Sequence, residues 1–319
     1  MDRPPMRDGS PPGDAGMPPE ALVGPVDLCG VTLNGPILNG SGTFDAIAAR
    51  RVFGDTLLED FPFDAFVSKT ITLAPRQGNP PPRLYELPGG LLNSIGLPNK
   101  GLDGFLAHDL PQLAELPVPL IVNVMGHTHE ELERLVAAVG ERDEVTALEL
   151  NVSCPNVKTG LTFGADPGEL ARLLDAVRPR TAKPLIVKLT PNTASPADVA
   201  QAAEEHGADA VSLINTLRGY APHPHRKGEP WLGATTGGVS GPAIRAIALA
   251  QVAEVRARVR RLPIVGMGGV QCGRHADDLL RAGADLVGVG TESFRDPLAG
   301  ERIRRELRAR RPDRSTVPG

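Results

Sequence analysis

Cysteine is scarce in this chain. Its 319 residues include only Cys29, Cys154 and Cys272, odd in number and widely spaced. Such spacing fits neither a disulfide framework nor a C-x-x-C metal or cluster site, and points to a reduced, cytoplasmic protein that carries no iron–sulfur cluster of its own. No apolar run approaches the ~18 residues that cross a bilayer. Charge of one sign is not in excess either. The 34 basic and 38 acidic residues leave a net −4, which argues against a nucleic-acid or anionic-membrane surface. Residues 1–20 hold six prolines and three glycines and lack the apolar core of a signal peptide. We expect a disordered extension over residues 1–22 and a flexible tail over 312–319.

Between them, residues 23–311 are long enough for one large core. After a hairpin-like stretch at 26–36, eight apolar runs at 37–42, 65–71, 119–124, 147–153, 184–190, 210–215, 263–266 and 286–290 alternate with helical patterns. Thr128-x-x-Glu131, Asp166-x-x-Glu169 and Ser195-x-x-Asp198 predict helix starts, the last two followed by proline at the first helical position. Leu170, Leu173, Leu174 and Val177 then form one apolar stripe. Pro184-Leu-Ile-Val leading to Gly207-Ala-Asp, and Pro263-Ile-Val leading to Gly283-Ala-Asp, suggest a repeated β-α-β unit. These features predict an α/β fold, a (β/α)8 TIM barrel in one domain with loop insertions at its C-terminal face. Residues 73–99, rich in proline and glycine, are expected to be a loop. The arginine-rich end (Arg302, Arg304, Arg305, Arg308, Arg310 and Arg311), interleaved with Ile303 and Leu307, reads as the solvated face of a last helix.

In such barrels the chemistry sits at the C-terminal ends of strands. The run Ala147-Leu148-Glu149-Leu150, read as an apolar lead-in, ends in Asn151-Val152-Ser153-Cys154-Pro155-Asn156. A thiol there, between amides able to hold a planar polar ligand, is a candidate acid/base or nucleophile; a buried thiol acting as a small hydrophobe is the plainer alternative. Lys69 and Lys188 end otherwise apolar strands, as do Asn123, Asn151 and Asn215, which puts five polar groups on five strand ends. Lysines that snorkel to the rim would explain single cases but not the recurrence. Gly266-Met-Gly268-Gly269 and Gly288-Val-Gly290-Thr291 close the last two strands, where such barrels bind phosphate through backbone N–H groups. Thr235-Thr236-Gly237-Gly238-Val239-Ser240-Gly241 is a further candidate wall. His223-x-His225 beside prolines reads as a loop, and no metal site is expected. Residues 155–163, with Pro155 and Gly160, have the layout of a gating loop.

Ser68-Lys69-Thr70, Gly78-Asn-Pro-x-Pro-Arg83, Leu92-Asn93-Ser94-Ile95-Gly96-Leu97-Pro98-Asn99 and the hexapeptide at 151–156 together resemble dihydroorotate dehydrogenase. So do Val187-Lys188-Leu189, Ile214-Asn215-Thr216, Gly237-Gly238-x-Ser240-Gly241 and the Gly266 cluster. The likeness runs in order over roughly residues 26–310. It implies an FMN-bound barrel that oxidises (S)-dihydroorotate to orotate in pyrimidine synthesis. By the same resemblance, Cys154 would be the base that removes the C5 proton, and Lys69 would hold the substrate carboxylate close to the reacting flavin atom. Asn93, Ser94, Ile95, Gly96, Leu97, Asn151, Asn156, Asn215 and Thr216 would complete the substrate site. Gly40, Ser41, Lys69, Asn123, Asn151, Lys188, Ile214, Gly241, Gly268, Gly269, Gly290 and Thr291 would bind FMN, with Lys188 stabilising negative charge on the reduced ring.

Cysteine rather than serine at 154 resembles class 1 of the family. The stretch from Pro155 to Pro167 resembles its B type, a homodimer core of a heterotetramer whose electron-transfer subunit carries FAD and a 2Fe–2S cluster and reduces NAD. Gly40, the N-terminal extension and the loop at 221–227 depart from the usual pattern. The alternatives are a fumarate-linked A-type homodimer, a dihydropyrimidine dehydrogenase-like flavoenzyme, a Schiff-base aldolase barrel using Lys188 and a non-catalytic binding subunit.

Overall fold

The computed structural model describes residues 24–153 and 162–310. Strands β1 (Val26–Leu28) and β2 (Val31–Leu33) form an antiparallel hairpin. They are followed by β3 (Ile37–Asn39), β4 (Phe66–Val67), β5 (Leu84–Leu87), β6 (Gly90–Asn93), β7 (Leu120–Val124), β8 (Ala147–Asn151) and β9 (Leu185–Lys188). Strands β10 (Ala210–Leu213), β11 (Leu217–Gly219), β12 (Gly237–Ser240), β13 (Ile264–Met267) and β14 (Leu286–Val289) complete the set. Eight of these, one for each apolar run, pair in parallel in the order β3-β14-β13-β10-β9-β8-β7-β4. A parallel bridge between Leu38 and Ala65 joins the two ends and closes the barrel.

Alternation along each strand sorts its residues into two cores. Leu38, Ala65, Val67, Ile121, Ala147, Ile186, Ala210, Val265, Met267 and Leu286 pack together with Val26, Leu28 and Leu33. This is the barrel interior, floored by the β1–β2 hairpin. Their neighbours, such as Val122, Leu148, Val187 and Val211, pack outward with the helices. All three expected helix starts are present: Thr128, Asp166 and Ser195 accept from the backbone N–H of Glu131, Glu169 and Asp198 at 3.1, 2.7 and 3.3 Å. Leu170, Leu173, Leu174 and Val177 are fully buried on the helix Pro167–Val177.

The sequence echo has a physical basis at the barrel floor. Asp209 accepts from the N–H of Leu185 at 2.8 Å and pairs with Arg178, which also donates to the carbonyl of Gly207. Asp285 repeats this with the N–H of Ile264, Arg256 and the carbonyl of Gly283. Asp64 supplies a third clamp, to the N–H of Ile37 and to Arg304. Each carboxylate thus ties the start of one strand to its neighbour. The last helix, Ala299–Arg310, buries Ile303 and Leu307 and turns Arg302 toward Glu292, Asp296 and Glu306, as a solvated structural helix should.

Residues 73–99 correct the expected loop. They contain the β5–β6 hairpin, which joins a four-stranded antiparallel sheet, β11-β12-β6-β5, above the barrel mouth. The composition around Pro88-Gly89-Gly90 reads as loop, yet Pro88 and Gly89 form the hairpin turn and Gly90 opens β6 opposite Leu87.

In the floor, Cys29 donates to the carbonyl of Asp209 at 3.1 Å. Burial first, then the carboxylates of Asp209 and Asp27, push its thiol from 9.0 up to about 12. The folded chain therefore holds this proton more tightly than the unfolded chain. Stability from this group is intact below pH 9 and falls as pH rises from 9 toward 12. The drop in urea midpoint between pH 8 and about pH 10.5 should be smaller in Cys29→Ala than in the wild type; equal drops would contradict the assignment.

Candidate active site

The inward-facing positions change character along the barrel axis. Two residues above Val67 comes Lys69; above Ile121, Asn123; above Ala147, Glu149 and then Asn151; above Ile186, Lys188; above Ala210, Ser212. The interior is apolar below and polar at the mouth on this side. Across it, Leu38 is followed by Gly40, and Leu286 by Gly288 and Gly290, so these two strands present no side chains toward the mouth, and Met267 of β13 lies beside Gly288.

Glu149 stands at the centre of the polar side and is nearly inaccessible. Its Oε1 accepts from Asn123 Nδ2 at 2.5 Å and its Oε2 from Ser212 Oγ at 2.7 Å, while Lys188 Nζ lies 3.8 Å from Oε1. Asn123 is fully buried and its Oδ1 has no hydrogen-bond partner among the described residues. A buried amide oxygen left open costs about 1–3 kcal/mol unless something donates to it.

Next to this group, Asn215 Nδ2 donates to Ser153 Oγ at 2.9 Å and to Asn151 Oδ1 at 3.4 Å, and Asn215 Oδ1 accepts from the N–H of Thr216. Thr216 packs on Gly238 so closely that a Cβ there would lie 2.0 Å from its Oγ1. Gly238 is in register with Asn93, whose Nδ2 donates to its carbonyl at 3.2 Å. The small sheet thus carries Asn93 to Thr216. Ser94, Ile95 and Gly96 are held by Asn79, which donates to Ser94 Oγ and to the carbonyl of Ile95 and packs on Gly96. Leu97 adopts the left-handed conformation with φ 54°, strained for a branched side chain. Lys69 rises exposed from the end of β4, its Cγ beside Gly42.

The glycine wall is equally continuous. Gly40 packs on Gly290, Gly241 on Thr291, and Gly269 on the carbonyl of Gly241. Thr291 Oγ1 donates to Ser240 Oγ at 2.9 Å, Ser41 Oγ to the carbonyl of Ser68 at 2.8 Å, and Ile214 packs against Gly268. Gly241 and Gly269 have φ of 91° and 71°, which other residues adopt only with strain. A methyl at Gly40 would meet only ordinary contacts, the nearest at 3.4 Å, so packing alone does not demand glycine there.

A family model described as dihydroorotate dehydrogenase matches residues 25–310. The chain belongs to the dihydroorotate dehydrogenase family. Among its relatives, a protein of Citrifermentans bemidjiense named dihydroorotate dehydrogenase B (NAD(+)), catalytic subunit, is 45 % identical over 284 residues, 88 % of this chain and 91 % of the relative. One of the same name from Listeria monocytogenes is 42 % identical over 286 residues, again 88 % and 91 %. A crystal structure of DHODH in complex with ferulenol from Eimeria tenella aligns with a TM-score of 0.72 over 90 % of this chain and 84 % of that one; at 24 % identity it supports the fold.

The family depends on FMN. The mouth fits such a group. An open buried acceptor on Asn123 and the ammonium of Lys188 face one way, and the glycine wall gives backbone access for a phosphate. Of the expected site residues, Cys154 and Asn156 lie outside the described residues, as do 155–161 of the expected gating loop. Its far end is fixed: Phe163 is fully buried against His129. His223 Nδ1 accepts from the backbone N–H of His225 and Arg226, and its ring packs on Trp231, so the pair is a loop element. Among the described residues no helix is long and apolar enough to cross a membrane. Sequence reading missed Glu149. The signal was its alternation with Ala147 and Asn151, which puts it on the inward face.

Proposed function

We propose that this chain is the FMN-bearing catalytic subunit of a cytoplasmic, NAD-linked dihydroorotate dehydrogenase, oxidising (S)-dihydroorotate to orotate for pyrimidine synthesis. The observation that carries the reading is the two-sided mouth, with amides and ammonium groups from neighbouring strands facing a wall of glycine.

Bound FMN supplies the acceptor for the hydride that leaves substrate C6. On the polar side, Asn123, Asn151 and Lys188 would hold the ring, with Ile214 against it. The buried ammonium of Lys188 favours the negative charge that accompanies reduction, because the low-dielectric mouth screens it weakly. Gly40, Ser41, Gly241, Gly268, Gly269, Gly290 and Thr291 would hold the remainder and its phosphate. Asn93, Asn151, Asn215 and Thr216, already linked to one another, present donors and acceptors that match a dihydropyrimidine and its carboxylate. Asn156 would join them, and Ser94, Ile95, Gly96 and Leu97 would shape the pocket. Lys69 would pair with the carboxylate. Cys154 would take the proton from C5, which the adjacent carbonyl acidifies.

The name shared by the relatives supports a companion subunit and NAD as acceptor. We assign FAD and a 2Fe–2S cluster to that companion, docked on a homodimer of this chain.

Purified protein should be yellow and should convert dihydroorotate to orotate with an artificial dye as acceptor. Dihydrouracil, which lacks the carboxylate for Lys69, should be at least ~100-fold poorer in kcat/KM, the loss expected when a charged partner goes unpaired. A colourless protein, or equal rates with the two substrates, would overturn this function.

A further inference from the structure

Glu149 is a buried carboxylate with no assigned task. Removing such a group from water is costly unless its lone pairs are satisfied. Here they are satisfied by two neutral donors, Asn123 Nδ2 and Ser212 Oγ, while its charge faces Lys188 at 3.8 Å. That contact is the only ion pair or hydrogen bond of the Lys188 side chain among the described residues. Lys188 itself is buried.

Each contact has a consequence for the mouth. By engaging Nδ2 of Asn123, Glu149 fixes which end of the amide is left over, and the one left over is the open acceptor Oδ1. By standing 3.8 Å from Nζ, it attracts the ammonium without using up its donors. Ser212 pins the second oxygen, so the carboxylate cannot rotate away. One side chain therefore sets both the polarity of Asn123 and the place of Lys188.

We propose that Glu149 is a positioning residue that holds Asn123 and Lys188 ready for the ring of FMN. The proposal rests on the FMN reading above and adds to it a residue that acts through two others.

The test uses the full chain stripped of flavin and titrated with FMN, read by quenching of flavin fluorescence and by the visible spectrum of the bound ring. Wild type must bind first; if it does not, the FMN reading itself fails. Glu149→Gln keeps the shape and an acceptor but removes the charge. It should bind FMN about tenfold more weakly, with a displaced visible band, and melt near wild type when flavin-free, as supporting partners of site residues do. In a Lys188→Met background the same change should alter FMN affinity less than about twofold, since no ammonium remains to be held. Wild-type affinity and spectrum in Glu149→Gln would overturn the proposal, and so would an equal loss in both backgrounds. Should the double variant not fold, Glu149→Gln alone decides.

Discussion

Replacing Cys154 by alanine is expected to leave FMN bound while slowing flavin reduction by dihydroorotate by roughly 10²–10⁴-fold, the usual contribution of a positioned general base. The described residues expected to hold the cofactor, from Asn123 and Lys188 to the glycine wall, are untouched by that change, so colour and orotate affinity should persist. What would be lost, on the proposed role of Cys154, is the acceptor for the C5 proton. That proton is acidified by the neighbouring carbonyl but still needs a base within reach. A thiol, ionising near ~8.5 when unperturbed, can serve near neutrality when its surroundings favour the thiolate. Cys154→Ser should keep some activity with its pH profile displaced upward, because a hydroxyl ionises less readily. Flavin reduction at near the wild-type rate in Cys154→Ala would remove Cys154 from the mechanism.

The second large effect concerns the acceptor. The chain by itself should pass electrons from dihydroorotate to artificial dyes and not to NAD; NAD reduction should appear when a subunit carrying FAD and a 2Fe–2S cluster is added. Direct hydride transfer needs the two rings in contact, and the sequence has no G-x-G-x-x-G after a strand to seat a dinucleotide. Its three scattered cysteines offer no cluster site, and among the described residues no group of three or more His, Cys, Asp or Glu could hold a metal. On the proposed reading, electrons bound for NAD leave through another protein. Robust NAD reduction by the chain alone would contradict this. Efficient fumarate reduction would mark the A type instead.

Local and periodic physics was legible in the sequence. The three helix starts involve atoms three residues apart, and the eight barrel strands announce themselves as apolar runs. The polar strand ends were legible too, since an amide or ammonium closing an apolar run stands out by type. Glu149 was harder. It lies inside its run, and taking 147–150 as a uniform apolar lead-in hid the alternation that turns Ala147, Glu149 and Asn151 inward. Its three contacts come from β7, β9 and β10, up to 63 residues away, and no local pattern carries them. The small sheet was missed for a similar reason. β6 pairs with β12, with Asn93 opposite Gly238, so half of the hairpin's support comes from a distant segment. Proline and glycine nearby disguised it as loop.

The central claim is that this barrel oxidises dihydroorotate at a flavin held in its mouth. It is tested most directly by anaerobic titration of the purified, FMN-loaded chain with (S)-dihydroorotate, with no acceptor added. Flavin absorbance should bleach, and each flavin reduced should yield one orotate. Absorbance that stays unchanged under excess dihydroorotate, in protein that a chemical reductant does bleach, would contradict the account.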